Sequence, residues 1–326
     1  MTKKIPIWQL ATILLTTVSA AEAQQAGKVH RIGMLISGST STHKSAIEAF
    51  HRGLRELGYV EGKNILIEYR YAEGKRDRYS ALAGEMVRLR PEVIVVASEG
   101  FVTAVKQATS TIPIVVAGAG DLLGSGLIAS LAQPGGNITG STTMSPDLSG
   151  KRLELLKEAI PKASRVAVLL YPSGNDLEEL KQTEAAGKAL NVKIQVIKVK
   201  EPTEFQSAYA EMRKKNANAL ILIQGTLTGF HRKELIELAN KNRMPTMCEV
   251  ARWTEDGCLM SYGPDVNYQW HRAATFVDKI LKGRTPADLP VEQPMKWEFI
   301  VNLQTAKQIG VTIPPNVLVR ANKVIR

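Results

Sequence analysis

The sequence VHRIGMLI, residues 29–36, decides the fold, because a largely apolar run of this length is typical of a buried strand. Phe50, Leu54 and Leu57 follow it at helical spacing, and Gly58 then supplies a left-handed stop. A strand followed at once by an amphipathic helix predicts one βα unit.

The alternation of apolar runs and helical segments continues along the chain. In the first half, strands are predicted at residues 65–71, 93–97, 113–117 and 138–142, and helices at 78–89, 101–108 and 126–132. In the second half, strands are predicted at 165–170, 193–198, 219–223, 245–248 and 258–261, and helices at 150–160, 177–190, 203–216 and 230–240. Apolar strands separated by helices predict an α/β protein with two similar, doubly wound parallel-sheet (Rossmann-like) lobes of about five strands each.

One more helix follows the second set of strands. Its apolar face includes Trp270 and Val277, and Gly283 ends it. Because this helix has no strand left in its own set, it is expected to pack on the first lobe, with residues 291–293 and 298–302 as returning strands.

The first 23 residues have the features of a secretory signal peptide. Lys3 and Lys4 precede an apolar run at residues 5–18, which is too short to span a bilayer, and a small-x-small cleavage site ends at Ala23. No cysteine follows the run to carry a lipid, and no later apolar stretch has spanning length. The sequence therefore predicts a soluble periplasmic protein, cleaved near Ala23.

The formal charge of +11 is compatible with nucleic-acid or membrane partners. Export argues against nucleic acid, and the basic residues are spread along the chain rather than clustered. A solvated surface accounts for most of them, and a basic rim facing an acidic partner is the alternative.

The two cysteines would lie in an oxidising compartment. The predicted strands place Cys248 at the end of one strand and Cys258 at the start of its parallel neighbour. At ~3.3 Å per residue this stagger exceeds disulfide reach. The expectation is two free, largely buried thiols.

The loops at the carboxyl ends of the strands are where an open parallel sheet binds its ligand. They offer hydroxyl and backbone N–H groups beside positive helix ends, which suits a carboxylate, although helix capping is the alternative role for each polar residue. The predicted ligand-binding residues are Ser37, Ser39, Ser98, Glu99, Gly100 and Asp121 in the first lobe, Tyr171, Ser173, Asn175, Gln224, Thr226 and Glu249 in the second, and Asp265.

Acidic and aromatic residues in the same regions have separate expected roles. Carboxylates are expected to meet an ammonium group, and aromatic rings to cover an apolar body. The acids are Glu99, Asp121, Glu249 and Asp265, and the aromatics are Phe101, Tyr171, Phe230 and Trp253. Each aromatic residue alone is more often part of a core than a ligand contact.

Catalytic and cofactor motifs are missing from the sequence. There is no G-x-S-x-G elbow, no H-E-x-x-H and no G-x-x-x-x-G-K-[ST] loop, and no two of the five histidines are spaced i, i+3 or i, i+4. The sequence therefore predicts neither an enzyme nor a bound metal or cofactor.

A family pattern is carried by residues 54–64, 107–115, 134–140, 149–157, 260–265 and the run 278–307. These stretches resemble the ABC-transporter substrate-binding proteins of the tryptophan/tyrosine-uptake type. The resemblance covers nearly the whole mature chain in order, which makes it specific.

This resemblance implies a type I periplasmic-binding-protein fold, with two lobes joined by a three-segment hinge and a ligand between them. It implies a monomer that captures a small ligand, an amino acid or a related small carboxylate, and delivers it to an ABC permease in the inner membrane. The crossings are expected near residues 142–145, 262–265 and 289–293, which gives a first lobe of 24–143 plus 264–290 and a second of 144–263 plus 291–326.

The chain also departs from the family pattern near the expected cleft. Relatives commonly carry Thr-Pro-Ala where this chain has Ser98-Glu99-Gly100, Asp-Pro at Asp121-Leu122, and Asn-Pro at Tyr171-Pro172. The extra acid and aromatic rings favour a ligand other than an aromatic amino acid. A periplasmic sensor that signals to a membrane kinase is the alternative function, and the sequence does not separate it from transport.

Overall fold

The computed structural model describes residues 28–143, 146–171 and 174–326. The predicted signal peptide and Ser173 lie outside these residues, and the side chains of Asn175 and Thr226 are not described. No helix within the described residues is both long enough and apolar enough to cross a membrane.

The first lobe is built on a five-stranded sheet in the order β2-β1-β3-β4-β5, in which every neighbouring pair is parallel. Its strands are β1 (His30–Ile36), β2 (Ile65–Tyr71), β3 (Val93–Val96), β4 (Ile114–Ala119) and β5 (Ile138–Thr142). Its helices are α1 (Thr40–Glu56), α2 (Tyr79–Arg88) and α3 (Glu99–Ala108), with a 3-10 turn at Arg76–Arg78.

The second lobe is built on a seven-stranded sheet in the order β12-β11-β10-β9-β8-β6-β7. Its strands are β6 (Arg165–Leu170), β7 (Lys193–Lys198), β8 (Ala219–Leu222), β9 (Thr246–Cys248), β10 (Met260–Pro264), β11 (Trp297–Asn302) and β12 (Lys323–Ile325). Only the β10-β11 pair in this sheet is antiparallel.

The remaining helices complete the chain order. They are α4 (Pro146–Ala159), α5 (Gly174–Ala189), α6 (Phe205–Lys214), α7 (Thr226–Phe230), α8 (Arg232–Lys241), α9 (Ala251–Glu255), α10 (Val266–Leu281), α11 (Leu303–Ile309) and α12 (Pro315–Arg320), with 3-10 turns at Pro202–Glu204 and Pro286–Asp288.

Helices cover both faces of each sheet, as the apolar strands require. In lobe 1, α1 and α10 share one core with β1, and α2 and α3 share the other with β3 and β4. In lobe 2, α4 and α11 pack on one face, and α6 and α8 pack on the other. The prediction of an α/β protein with two doubly wound lobes is confirmed.

Helix α10 follows β10 of lobe 2 but packs on lobe 1. Trp270 and Val277 lie in the same buried cluster as Phe50 of α1. At Gly53 of α1 the two helices approach so closely that a Cβ would lie 2.6 Å from the carbonyl oxygen of His271. The apolar face of α10 that the sequence predicts is therefore buried against lobe 1.

The return to lobe 2 begins beside β5. Glu292 donates its N–H to the carbonyl oxygen of Gly140 (2.8 Å), and its own carbonyl oxygen accepts from Thr142 N (3.0 Å). The guanidinium of Arg272, on α10, holds the Glu292 carboxylate through two hydrogen bonds of 2.9 and 2.7 Å. Glu292 thus pairs with the first sheet before the chain continues to β11.

The helix predicted at residues 126–132 was wrong. This segment is a series of turns, in which the Oδ1 atom of Asp121 accepts from the backbone N–H groups of Leu123 and Gly124, and Gly126 has a φ of +68°. The strand number also differs, because β11 and β12 extend the second sheet to seven strands.

The prediction of two free thiols was wrong, because Cys248 and Cys258 form a disulfide with their Cα atoms 6.6 Å apart. The distance predicted between the two cysteines required Cys258 to lie in an extended strand. Strand β10 begins only at Met260, and Cys258 lies in a turn after Gly257 (φ +108°), where its N–H bonds to the carbonyl oxygen of Trp253 (2.9 Å). The turn folds the chain back towards Cys248.

Candidate functional site

The loops after β1 and β3 present hydroxyl groups at the edge of lobe 1, and these hydroxyls cap helices. Ser39 Oγ accepts from Thr42 N (3.3 Å), and Thr42 Oγ1 accepts from Ser39 N (2.8 Å), which completes a capping box on α1. Ser98 Oγ accepts from Phe101 N (3.4 Å) at the start of α3. Ser37, one residue after β1, is half-buried in the same edge.

The two aspartates predicted at this edge bond to their own loops. The Oδ1 atom of Asp121 accepts from Leu123 N (3.1 Å) and Gly124 N (2.8 Å), and that of Asp265 accepts from Tyr268 N (2.9 Å) at the start of α10. Each carboxylate therefore has a structural role whether or not a ligand reaches it.

Glu99 and Gly100 form the first turn of α3, and both are half-buried. A Cβ at Gly100 would lie 2.7 Å from Cε2 of the Tyr79 ring, which stacks on Phe101 with ring centres 4.0 Å apart. A side chain larger than hydrogen at position 100 would displace this aromatic pair.

In lobe 2, Glu249 is buried and its two carboxylate oxygens have separate partners. Oε1 lies 2.6 Å from Nη1 of Arg152, and Oε2 accepts from Gln224 N (2.9 Å). Arg152 also donates from Nε to the carbonyl oxygen of Tyr262 (2.8 Å), and its Nη1 lies 3.7 Å from Oε2 of Glu179. The cluster joins α4, the loops after β8 and β9, and β10.

Arg252 is a residue of this edge that the sequence did not single out. It lies in α9, just beyond the carboxyl end of β9, and makes no ion pair with a described residue. Its Nε is buried and has no hydrogen-bond partner among the described residues. Burial, reinforced by the nearby Arg232, lowers the pKa of Arg252 to about 10, so the group remains charged at neutral pH.

His43, on α1 of lobe 1, is close enough to Arg252 to be affected by its charge. Burial and the charge of Arg252, with a smaller effect of Arg232, lower the pKa of His43 to about 4. The His43 ring also lies against the loop after β1, because a Cβ at Gly38 would be 2.9 Å from its Cε1. The positive charge of Arg252 thus acts on a residue of the opposite lobe, whereas Arg232 is paired with Asp256 (2.6 Å).

The four aromatic candidates divide into two pairs. Phe101 and Trp253 are 0% and 1% exposed and belong to the lobe cores. Tyr171 and Phe230 instead meet residues of lobe 1. Arg76 Cζ lies 5.6 Å from the centre of the Tyr171 ring, and the Phe230 ring packs against Gly74.

A crevice of about 370 Å³ lies beside the Phe230 contact. Ser41 and Thr42, in the first turn of α1, form one wall, and residues 230–234 form the other. The space therefore has one wall from each lobe. Within the described residues, no group of three or more His, Cys, Asp or Glu side chains could hold a metal ion.

The protein has two similar lobes that face each other across polar loops. This architecture is shared by several protein families, and the sequence matches one of them over almost its full length. Residues 31–325 match the family model described as "ABC transporter substrate binding protein". The chain belongs to this family. The substrate-binding family recognised from the sequence is confirmed.

Relatives of this substrate-binding protein include characterised and solved examples. A tyrosine-binding protein of Clostridioides difficile is 26% identical over 266 residues, which cover 81% of this chain and 76% of the relative. The ABC domain from Streptococcus pneumoniae crystallised in complex with L-Trp is 22% identical, with a TM-score of 0.85 over 91% of this chain and all of that one.

The chain is also similar to the ligand-free, open structure of a substrate-binding protein with adhesive properties from Clostridium difficile. It is 23% identical, with a TM-score of 0.68 over 91% of this chain and 99% of that chain. These similarities confirm the type I periplasmic-binding-protein fold predicted for this substrate-binding protein.

Proposed function

We propose that this protein is exported to the periplasm, captures an amino acid or a related small carboxylate between its lobes, and delivers it to an ABC permease. Membership of the substrate-binding family supports binding rather than catalysis. The signal-peptide features of residues 1–23 support export. Transport by hinge closure requires no second copy of the chain, so a monomer suffices.

The environment of Arg252 supports a ligand that has a carboxylate group. The Arg252 guanidinium has a buried Nε without a hydrogen-bond partner and no ion pair with any described residue, so its burial retains a desolvation cost. A carboxylate offers it two oxygens in a matching planar geometry. A ligand carboxylate bound there would supply the missing partner.

Two aromatic side chains, Tyr171 and Phe230, indicate which kind of carboxylate ligand to test first. Tyr171 and Phe230 lie at the boundary between the lobes and offer ring surface to an apolar ligand body. The relatives named above are a tyrosine-binding protein and a domain in complex with L-Trp. L-tyrosine and L-tryptophan are therefore the first ligands to test. The departures from the family pattern at residues 98–100, 121–122 and 171–172 favoured another ligand, but Phe101 is buried in the core of lobe 1 and so does not fill the space between the lobes.

We assign the remaining ligand contacts to the loops at the two facing edges. In lobe 1 these are Ser37, Ser39, Ser98, Glu99, Gly100 and Asp121, and in lobe 2 they are Tyr171, Ser173, Asn175, Gln224, Thr226 and Glu249, with Asp265 at the crossing. Hydroxyl and N–H groups of lobe 1 would hold polar ends of the ligand, and its ammonium would meet carboxylates.

The lobes would close about the three crossings, and only ligands that bind the closed form better than the open form favour closure. We propose 24–143 plus 264–290 and 144–263 plus 291–326 as the two moving bodies. The pairing of Glu292 with β5 supports a third crossing that begins after residue 292, two residues beyond the proposed boundary.

Thermal unfolding against a ligand panel tests the proposed function. The mature protein, stripped of ligand by unfolding and refolding, is heated with amino acids, nucleosides, aromatic acids and sugars. A ligand in large excess over its Kd adds ~3 to 4 kcal/mol and raises the melting temperature by several degrees. A shift from an amino acid or aromatic acid supports the proposal, whereas a shift only from sugars or nucleosides contradicts it.

A further inference from the structure

The lobes touch at a place far from the segments that join them. Gly74 and Arg76 follow β2, the edge strand at the opposite end of the first sheet from β5, where the crossings lie. Tyr171 follows β6, and Phe230 ends α7 after β8, on the side of the second sheet beyond β9 and β10. A contact this far from the hinge opens widely for a small rotation of either lobe.

The contact between Gly74 and Phe230 leaves no room for a side chain at position 74. A Cβ there would lie 2.4 Å from Cγ and 2.5 Å from Cδ2 of the Phe230 ring. These atoms belong to the base of the ring, so a small rotation at the end of the side chain would not relieve the overlap. A methyl group at position 74 would therefore oppose the closed arrangement, and separating the lobes would remove the conflict.

Both sides of the contact are fixed within their own lobes. On the first side, Gly74 donates its N–H to the carbonyl oxygen of Ser37 (2.8 Å), and Ala72 donates to that of Ile36 (2.9 Å). On the second side, the His231 ring packs edge-on against the Phe230 ring, with centres 5.2 Å apart. The two surfaces therefore move with their lobes.

Arg76 and Tyr171 add a second contact between the lobes. The guanidinium carbon of Arg76 lies 5.6 Å from the centre of the Tyr171 ring, within the range of a cation–π interaction. Arg76 makes no ion pair with a described residue, so no carboxylate among these residues competes with the ring for its charge.

We propose that Gly74, Arg76, Tyr171 and Phe230, which we call the mouth contact, hold the lobes closed over the ligand and set the rate at which it dissociates. This inference rests on the proposed function, because it requires a ligand between the lobes. Residues that meet only in the closed form stabilise it selectively, and the loss of such contacts appears mainly in the dissociation rate.

The first test compares Gly74→Ala with Gly62→Ala. Gly74 and Gly62 have φ values of +77° and +79°, so alanine costs a similar backbone strain at either position, but a Cβ at Gly62 would meet no atom within 4 Å. Stopped-flow measurements with the ligand that stabilises the wild type are expected to show dissociation about ten-fold faster for Gly74→Ala and within about two-fold of wild type for Gly62→Ala. Equal rates in the two variants overturn the inference.

A double-mutant cycle identifies the atoms responsible. Phe230→Ala removes the ring that a methyl at position 74 would meet, so adding Gly74→Ala to it is expected to change the dissociation rate by less than about two-fold. A full ten-fold effect in the Phe230→Ala background would mean that Gly74→Ala acts through its backbone, which contradicts the mouth contact.

A cross-link separates failure of this inference from failure of the proposed function. Gly74→Cys with Phe230→Cys is expected to form a disulfide between the lobes under mild oxidation, because a Cβ at position 74 would lie 2.9 Å from Cβ of Phe230, within ~1 Å of the Cβ separation in a disulfide. Peptide mapping under non-reducing conditions detects the link without knowledge of the ligand. If no panel ligand binds the wild type, a link still supports the contact, and its absence with or without ligand overturns it.

Discussion

Arg152 and Glu249 form an ion pair inside lobe 2, with Nη1 and Oε1 2.6 Å apart and the two side chains 1% and 5% exposed. The same arginine holds the carbonyl oxygen of Tyr262 in β10, and the same glutamate holds the backbone N–H of Gln224. The pair therefore fixes two loops of the proposed ligand edge to the strand that leads into a crossing.

Glu249→Ala is expected to lower the free energy of unfolding by about 3 to 5 kcal/mol, because it leaves the Arg152 charge buried without its nearest partner. Chemical denaturation of the ligand-free protein measures the change. Glu255→Ala is the control, since its pair with Lys323 is about half exposed and should contribute less than ~1 kcal/mol. Unchanged stability of the Glu249→Ala variant would contradict a structural role for the Arg152–Glu249 pair.

Arg252→Gln is expected to weaken binding of an amino acid by about 100-fold, because the ligand carboxylate loses its charged partner. Isothermal titration calorimetry measures the change against Arg213→Gln, a control at an exposed arginine on α6. The corresponding amine, which lacks the carboxylate, should bind both variants alike. Equal losses for the amino acid and the amine would contradict a carboxylate contact at Arg252.

The pKa of His43, lowered by burial and by Arg252 and Arg232, predicts a pH dependence of stability. The folded state favours the neutral ring, so its contribution is complete above the unfolded pKa of 6.5 and is lost as the pH falls from 6.5 towards 4. The loss amounts to at most ~3 kcal/mol.

Unfolding free energies measured between pH 7 and pH 4 test this dependence. The His43→Gln variant should show a shallower decline than the wild type, because it has no ring to protonate. Gln133→Ala, a change at an exposed side chain that does not titrate, should keep the wild-type slope. Parallel curves for the wild type and His43→Gln would show that other groups cause the acid sensitivity.

Reduction of the Cys248–Cys258 disulfide is expected to lower the free energy of unfolding by about 3 kcal/mol, because the bond closes a short loop in the unfolded chain. Mass spectrometry after alkylation of the unfolded, unreduced protein should find no modified cysteine. Alkylation of both residues without a reductant would restore the two-thiol prediction. The Cys248→Ser, Cys258→Ser double variant should match the stability of the reduced protein.

The alternation of strands and helices was predictable because each buried strand required its own apolar run. Residues 29–36 and 165–170 show this directly, since β1 and β6 occupy these runs. The segment at 126–132 misled the prediction because Leu127 and Ile128 supply apolar side chains that are buried from a turn, and the loop hydrogen bonds around Asp121 compete with a helix.

The candidate site was less predictable, because the burial and the ion pairs of each side chain depend on residues that are distant in the sequence. In the sequence Glu249 looks like an unpaired carboxylate, and only the fold places Arg152, 97 residues away, beside it. In the sequence Arg252 looks like a solvated surface charge. Only the folded structure shows that its Nε is buried and that its charge lowers the pKa of His43. The disulfide depended on a single turn at Gly257, which strand periodicity does not report.

The most direct test of the account is calorimetric titration of the stripped, mature protein with L-tyrosine and L-tryptophan, each paired with its decarboxylated amine. Saturable 1:1 binding of at least one of the two amino acids is expected, with its amine bound about 100-fold more weakly. Equal affinity for acid and amine, or binding of neither while a ligand without a carboxylate saturates the protein, would contradict capture of a carboxylate between the lobes.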